Sequence, residues 1–276
     1  MDRPGGVLLT VVTVVRNDPA GLAASLASLA AQDTPPGQVV VLDGSDDRDA
    51  VPALLATFPG LPLEYSWSWP QGVYAAMNAG LAEARGTYVY FLNAGDLLAG
   101  PTVLSTVCSA LAESSELWAI GEVAFLAADG SRMPEPAWSY DDERARLFAR
   151  GRFPAHQGVV VRTEALRDQG GFDLSFAVAA DYLSILRLAA QERPIVLDIP
   201  LAVFSVGGLS SQRWRTALAE FHRARRLVFA PSGTAAALEW ADTARARVAA
   251  EAYRGLWAPG RPLSGLVARI RPTPGR

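Results

Sequence analysis

The architecture expected for this chain follows from one run near its start, Val7-Leu8-Leu9-Thr10-Val11-Val12-Thr13-Val14-Val15. The run is rich in β-branched residues and nearly continuous in apolar character, which is typical of a strand buried on both faces of a parallel sheet. Asp18-Pro19 then opens a segment with leucines at positions 22, 26 and 29. Asp18 is therefore expected to cap a helix that begins at Pro19.

The same alternation of strand and helix continues along the chain. The sequence predicts further strands at 38–42, 63–67 and 87–92, separated by helices at 50–57 and 73–84. Strands joined through helices imply right-handed crossovers and a mostly parallel central sheet flanked by helices, which is a Rossmann-like α/β fold. Ligands bind such a sheet at the carboxyl ends of its strands, so the polar residues that follow each strand form the candidate site.

Past residue 100 the pattern is less regular. The sequence predicts helices at 101–113, 163–169 and 179–190, and strands at 117–126, 157–162, 194–199 and 201–206. A proline-rich segment at 133–140, which contains Trp138 and Tyr140, is expected to form a loop over the site. We place one catalytic domain at 1–211 and a basic helical C-terminal extension at 212–276.

The composition restricts the chemistry and the location. Cys108 is the only cysteine and the two histidines lie far apart in sequence, so a zinc site is disfavoured. Any metal must use oxygen ligands, as Mg²⁺ and Mn²⁺ do. No apolar run approaches the roughly 18 residues that span a bilayer, and the first residues lack a signal-peptide pattern. A cytoplasmic protein is therefore expected.

Charge is distributed unevenly along the chain. The net charge is -3, but residues 212–276 hold 12 arginines against 4 acidic residues, which gives +8 there and -11 in residues 1–211. The acidic body argues against a nucleic-acid partner. The basic tail suggests peripheral contact with an anionic surface such as the inner face of the plasma membrane, although a solvated arginine-rich helix face explains it equally well.

Three polar segments follow predicted strands and lie at the expected ligand edge. The first is Arg16-Asn17-Asp18. Asp43 follows the second strand and can accept from a nucleobase N–H, although an Asx turn that caps the next helix explains it as well. Asp96, in Asn93-Ala94-Gly95-Asp96, can hold a divalent ion beside a departing diphosphate, although ordinary turn chemistry gives the same pattern.

Seven segments, in this order, resemble the family 2 inverting glycosyltransferases with a GT-A fold, in particular bacterial enzymes of exopolysaccharide and capsule assembly. They are VTVVRN (12–17), VLDGS (41–45), GVYAAMNAG (72–80), FLNAGD (91–96), GGFD (170–173), AADY (179–182) and GGLS (207–210). The resemblance implies a GT-A fold and a nucleoside-diphosphate sugar as donor. It places Val14, Arg16 and Asp43 at the base and ribose, with Gly72 and Asn78 lining the same pocket.

The resemblance also implies a metal site and a general base. The metal-binding D-x-D element of the family falls on Asn93-Ala94-Gly95, so Asn93 and Asp96 are the implied ligands for Mn²⁺ or Mg²⁺. The general base falls on Asp181, where the sequence without this resemblance favours a residue that caps or starts the helix. His156 is implied near the diphosphate or the acceptor, against the alternative of a structural histidine.

Together these residues imply transfer of a sugar to a hydroxyl of a glycan or lipid-linked saccharide, in cell-surface polysaccharide biosynthesis. Two other functions remain open at this point. A catalytically silent nucleotide-sugar or glycan-binding protein would keep the fold, and the incomplete D-x-D favours it. A nucleotidyltransferase ranks last, because the segment Arg16-Asn17-Asp18-Pro19 offers no glycine-rich phosphate loop after the first strand.

Overall fold

The computed structural model describes residues 8–126, 132–134, 154–205 and 213–256. Strand β1 (Leu9–Val15) lies between β2 (Gln38–Asp43) and β4 (Tyr88–Phe91), and β3 (Leu63–Trp67) lies outside β2. These four strands pair in parallel. All seven residues of β1 are buried, which confirms the strand predicted from its continuous apolar run.

The connections between these strands are helices, as predicted. Helix α1 (Pro19–Ala30) begins after Asp18, whose Oδ1 accepts the Gly21 N–H at 2.8 Å. Helices α2 (Ala50–Leu55) and α3 (Val73–Glu83) follow β2 and β3. The expected N-cap and the proline at the first helical position are therefore both confirmed.

The second half of the sheet is mixed rather than parallel. Helix α4 (Val103–Leu111) follows a two-residue strand, β5 (Leu97–Leu98), and leads into β6 (Trp118–Leu126). Strand β8 (Val159–Arg162) pairs antiparallel with both β4 and β6. Strand β9 (Ile195–Ser205) pairs parallel with β6 and antiparallel with β5, so the sheet order is β3-β2-β1-β4-β8-β6-β9-β5.

Two predictions in this half are wrong in detail. The strands predicted at 194–199 and 201–206 form the single strand β9, whose register against β6 shifts where Pro200 lies opposite Glu122. Proline has no N–H for the ladder, so the break in the sequence pattern marks this irregularity. Strand β7 (Arg132–Pro134) occupies the start of the loop predicted at 133–140; the rest of that loop, including Trp138 and Tyr140, lies outside the described residues.

Four further helices complete the described chain. Helix α5 (Thr163–Asp168) follows β8, and α6 (Ala180–Gln191) precedes β9. Helices α7 (Trp214–Phe229) and α8 (Gly233–Leu256) form the predicted C-terminal extension. Helix α7 packs on α6. The predicted domain boundary at residue 212 stays a prediction. Among the described helices, none combines the length and apolar character needed to cross a bilayer.

Candidate active site

The loops after β1 and β2 are tied together at the carboxyl edge of the sheet. Asn17 donates from Nδ2 to Asp46 Oδ2 at 2.9 Å, and its Oδ1 accepts the Asp46 N–H at 2.9 Å. The Asn17 N–H donates to Ser45 Oγ at 2.8 Å. Arg16 lies exposed directly after β1. The first two predicted segments therefore form one continuous surface.

Both carboxylate oxygens of Asp43 make local contacts within this surface. Its side chain is 2% exposed; Oδ1 accepts the Ser45 N–H at 2.7 Å and Oδ2 accepts the Tyr65 hydroxyl at 3.0 Å. The Asx turn is therefore present, but it does not cap α2, which begins seven positions later at Ala50. Burial, followed by the bond to Asp43, raises the pKa of Tyr65 to about 12, so this hydroxyl stays a donor.

An open cleft of about 150 Å³ lies beside Asp43. Its walls are Ser45, Asp46, Arg48, Trp67, Trp69 and Pro70. The Arg48 guanidinium lies 3.7 Å from the ring centroid of Trp67, and Trp69 is 71% exposed. A cation stacked on an indole gives a flat, positively charged surface, which suits an aromatic ring joined to a phosphate.

The other residues predicted to bind the nucleotide are involved in backbone hydrogen bonds or backbone conformation. Val14 is buried in β1, and its carbonyl accepts the Ala94 N–H at 3.1 Å. Gly72 begins α3 with a φ of 106°, a conformation that other residues rarely adopt. Asn78 donates to the Phe172 carbonyl and accepts the Phe172 N–H, both at 2.8 Å. Whether Val14, Gly72 and Asn78 also contact a nucleotide stays a prediction.

The Asn93–Asp96 turn is held from below by α1. The Gly95 N–H donates to Ser25 Oγ at 3.0 Å, and Ser25 Oγ donates to the Asp96 carbonyl at 2.7 Å. The Asp96 side chain is 7% exposed, and its Oδ2 accepts from Gln157 Nε2 at 3.2 Å. Burial raises the pKa of Asp96, while the nearby His156 and the bond from Gln157 lower it; the net shift is upward.

This turn fits a divalent ion that is shared with a substrate. Asn93 Oδ1 is buried and finds no hydrogen-bond partner among the described residues, which leaves an unpaired oxygen in the same turn as Asp96. No group of three or more His, Cys, Asp or Glu side chains in the described chain is placed to hold a metal. Magnesium in particular is often bound by one or two carboxylates together with substrate phosphates. Asn93 and Asp96 fit that pattern and do not form a closed protein cage.

His156 connects this turn to Asp181. Its Nε2 lies 3.3 Å from Asn93 Nδ2, and its Nδ1 lies 3.3 Å from Asp181 Oδ2. Burial lowers the pKa of His156, but the hydrogen bond and the charge of Asp181, together with the charge of Asp96, outweigh it and raise the pKa. The structure therefore brings together Asn93, His156 and Asp181, which are widely separated in sequence.

Asp181 lies in the first turn of α6, with polar contacts on both carboxylate oxygens. Oδ1 accepts the Tyr182 N–H at 2.9 Å and lies 2.9 Å from the hydroxyl of Tyr74. That hydroxyl is also 2.7 Å from the Val178 carbonyl. Burial and the charge of Asp181 raise the pKa of Tyr74 far above its ordinary value, so the hydroxyl stays neutral.

Sequence reasoning missed two residues of this arrangement. Tyr74 lies within the segment GVYAAMNAG, but its spacing in a helix gives the same signal as a core aromatic. Gln157 follows His156 directly, and only the folded structure places its amide on Asp96. A buried hydroxyl or amide becomes recognisable as part of a site only when its partner is known.

Comparison with known proteins identifies close relatives by sequence. The family model described as Glycosyl transferase family 2 matches residues 10–151. An uncharacterized glycosyltransferase of Mycobacterium tuberculosis is 33% identical over 212 residues, which cover 74% of this chain and 78% of the relative. A PGL/p-HBAD biosynthesis glycosyltransferase of Mycobacterium bovis is 28% identical over 211 residues, which cover 74% of this chain and 79% of the relative.

Solved structures of similar fold include those of TarS and of a mannosyltransferase. Staphylococcus aureus TarS in complex with UDP-GlcNAc matches with a TM-score of 0.63 at 19% identity, over 80% of this chain and 65% of that chain. The longer TarS chain is matched over 40% of its length. The Pyrobaculum calidifontis mannosyltransferase PcManGT, in complex with GDP-Man and Mn²⁺, matches with a TM-score of 0.62 at 18% identity, over 96% of this chain and 85% of that chain.

Proposed function

This chain belongs to glycosyl transferase family 2, and from that premise we propose that it is an inverting enzyme. It moves a sugar from a nucleoside diphosphate to a hydroxyl of a glycan or lipid-linked saccharide. The observation that carries the proposal is the chain of contacts from Asn93 through His156 to Asp181. These contacts link the turn suited to a diphosphate with a carboxylate suited to deprotonate a hydroxyl.

The donor would lie along the carboxyl edge of β1, β2 and β4. Val14, Arg16 and Asp43 lie at the carboxyl ends of β1 and β2, Gly72 precedes α3 and Asn78 lies within it. The cleft beside Trp67 offers a cationic aromatic wall. Nucleotide sugars of two kinds are bound by the structurally similar enzymes, UDP-GlcNAc by TarS and GDP-Man by PcManGT. Both support a nucleoside-diphosphate sugar as the donor without selecting the base.

Asn93 and Asp96 would hold Mn²⁺ or Mg²⁺ against the diphosphate. A bound divalent ion supplies the positive charge that a departing diphosphate requires. The chain contains no lysine, so arginine is the only permanently charged side chain that could replace it. The Mn²⁺ bound in PcManGT supports this assignment.

Asp181 would act as the general base. A carboxylate oxygen takes the proton of the acceptor hydroxyl as that oxygen bonds to C1, and the bond from C1 to the diphosphate breaks on the opposite face. This single displacement inverts the anomeric centre. Tyr74 serves both protonation states of Asp181, because its hydroxyl can donate to Asp181 Oδ1 or turn its proton to the Val178 carbonyl.

The acceptor side is proposed to lie at a membrane surface. Two groups of exposed apolar and basic side chains share the extension: Leu227, Phe229 and Arg226 at the end of α7, and Leu238, Trp240, Arg245, Arg247 and Val248 on α8. Trp240 is 67% exposed. Apolar side chains flanked by arginines suit an anionic bilayer, where a lipid-linked acceptor and a cytoplasmic enzyme would meet.

The decisive experiment combines turnover with binding. Nucleoside diphosphate release is measured with UDP-, GDP- and dTDP-sugars and simple acceptors, with and without Mn²⁺, alongside calorimetry of the free nucleotides. We expect metal-dependent release from one donor class and an inverted product. Asp181→Asn preserves shape and removes basicity, so it should abolish most transfer and leave nucleotide affinity nearly unchanged.

The competing function is a silent binding protein of the same fold. The incomplete D-x-D favours it, since Asp96 is the one carboxylate in Asn93-Ala94-Gly95-Asp96. Nucleotide binding without release from any sugar donor would establish the silent protein. A product of retained configuration would instead show that the single displacement is wrong.

A further inference from the structure

The N-terminal end of α6, which carries Asp181, has no cap of its own. Its N-cap residue is Ala179, which has no polar side chain, and the preceding Ala177 and Val178 offer none either. The first N–H groups of a helix have no partner inside the helix and must find one elsewhere. Since Val178 and Ala179 are buried, water is poorly placed to fill this role.

A partner for this helix end comes from the C-terminal extension. Glu220, on α7, accepts three consecutive backbone N–H groups: Ala177 at 2.8 Å on Oε1, and Val178 and Ala179 at 2.9 Å each on Oε2. A carboxylate at this position also complements the positive end of the α6 dipole. One side chain, 41 to 43 residues further along the chain, thus caps the N–H of the N-cap residue Ala179 and holds the two residues before it.

A second residue of α7 holds the turn just before this cap. Arg223, one turn along from Glu220, donates to the carbonyl and to the hydroxyl of Ser175 at 3.1 and 2.9 Å. Its guanidinium lies 4.5 Å from the ring centroid of Phe176. Phe221 packs against Tyr182, with ring centroids 4.8 Å apart. Helix α7 therefore contacts the segment that leads into α6, residues 175–179, at several points.

The contacts made by α7 are connected to the carboxylate of Asp181. Val178 is held at its N–H by Glu220 and at its carbonyl by the Tyr74 hydroxyl, and that hydroxyl also contacts Asp181 Oδ1. A shift of Val178 would alter its contact with the Tyr74 hydroxyl, which is shared with Asp181. We propose that Glu220 is a positioning residue for the base, so that the extension at 212–276 completes the active site. This inference rests on the proposed role of Asp181.

The test uses the full-length protein and two substitutions at one site. Glu220→Gln preserves size, but its amide has one acceptor oxygen and turns an NH₂ group toward backbone N–H donors. Glu220→Asp retains both oxygens on a shorter side chain. The matched control is Glu251→Gln, which removes an acidic group from α8 whose partner is the exposed Arg215.

We expect Glu220→Gln to lower kcat by about tenfold to a hundredfold, because small displacements of a catalytic group have effects of that size. Nucleotide affinity should stay within about twofold, since the cap does not touch the donor edge. Glu220→Asp should recover part of kcat, and Glu251→Gln should match the wild type. If Glu220→Gln does not fold, Glu220→Asp carries the same comparison.

A second readout is independent of transfer. The Tyr182 N–H lies in the first turn of α6 and donates to Asp181 Oδ1, so its hydrogen exchange reports whether the carboxylate stays in place. Exchange should rise about tenfold in Glu220→Gln and not in Glu251→Gln. Unchanged Tyr182 exchange, wild-type kcat, or a parallel loss of nucleotide affinity overturns the proposal. An inactive wild type refutes the proposed function instead, and the Tyr182 amide still decides the positioning role.

Discussion

The hydroxyl of Tyr74 lies 2.9 Å from Oδ1 of Asp181, although the two residues are 107 positions apart in the chain. The contact joins α3, which connects β3 to β4 in the parallel half of the sheet, to α6, which carries the proposed base. Since the pKa of Tyr74 is raised, the hydroxyl remains protonated at neutral pH and is a hydrogen-bond donor to the carboxylate. It therefore orients the carboxylate without competing as a base.

Removing this hydroxyl should slow transfer more than it destabilises the fold. Tyr74→Phe retains the stacking on Phe172, at 5.7 Å between centroids. It removes the hydroxyl that contacts the Val178 carbonyl and Asp181 Oδ1, and Oδ1 keeps the Tyr182 N–H. We expect kcat to fall about tenfold to a hundredfold and unfolding free energy to fall by about 1 kcal/mol. Steady-state kinetics and thermal melting measure the two effects.

The matched control is Tyr88→Phe, which removes an equally buried hydroxyl bonded to the Glu116 carbonyl and to Arg162. It should cost similar stability and leave kcat unchanged. Equal kinetic losses in both variants would mean that Tyr74 acts only through the fold.

The ion pair of His156 and Asp181 should give the stability a defined pH dependence. The folded-state pKa of His156 is raised above its ordinary value of 6.5. The stabilisation is therefore complete below about pH 6.5 and is lost as pH rises through the raised folded-state pKa. Thermal melting from pH 5 to 9 should show this loss in the wild type and not in His156→Gln. His222→Gln, which alters the other histidine, should retain it; a loss at falling pH would contradict the assignment.

The parallel half of the sheet was predictable because its strands are continuous apolar runs. Asp18 and the proline that follows it likewise predict where α1 begins, because the Asp18 side chain caps the helix. Local chemistry was enough in both places. The resemblance built on these segments, to family 2 glycosyltransferases, is confirmed by the family match and the curated relatives.

The rest depends on contacts between distant segments. Nothing near Ala179 indicates that Glu220 caps α6, since a glutamate on an amphipathic helix usually faces solvent. The pairing of His156 with Asp181 was likewise not predictable from residue types, although both residues were singled out. The single strand β9 was read as two because Pro200 interrupts its pattern.

Binding of the extension to anionic membranes can be tested by point substitution. Truncation at Gly208 would also remove Glu220 and disturb α6, so it does not isolate a membrane role. We expect salt-sensitive flotation with anionic liposomes, weakened by Arg247→Ala by about 1 kcal/mol and more strongly by Trp240→Ala. Leu174→Ala, which removes an exposed apolar side chain outside the extension, is the control. Equal binding by all variants would exclude this surface.

Substitution of Asp96 should affect activity and stability in opposite directions. Its folded-state pKa is raised by burial, so the folded state binds this proton more tightly than the unfolded state. The free energy of unfolding therefore falls as pH rises from the ordinary pKa of 3.8 through the raised folded-state pKa of Asp96. At neutral pH the folded state bears the full cost of burying the charged carboxylate. Asp96→Asn removes this cost. Without metal, its Tm at pH 7 should equal or exceed that of the wild type.

In the presence of Mn²⁺ the order should reverse. The ion compensates the buried charge of Asp96 and stabilises the folded wild type by mass action, while Asp96→Asn has lost its one carboxylate ligand. Turnover of the variant should be lower by orders of magnitude, as expected when charge stabilisation at the diphosphate is lost. Asp168→Asn, at an exposed position, should respond to Mn²⁺ as the wild type does. An equal Mn²⁺-induced rise in Tm for Asp96→Asn, or full wild-type activity in excess chelator, would show that Asp96 is not a metal ligand.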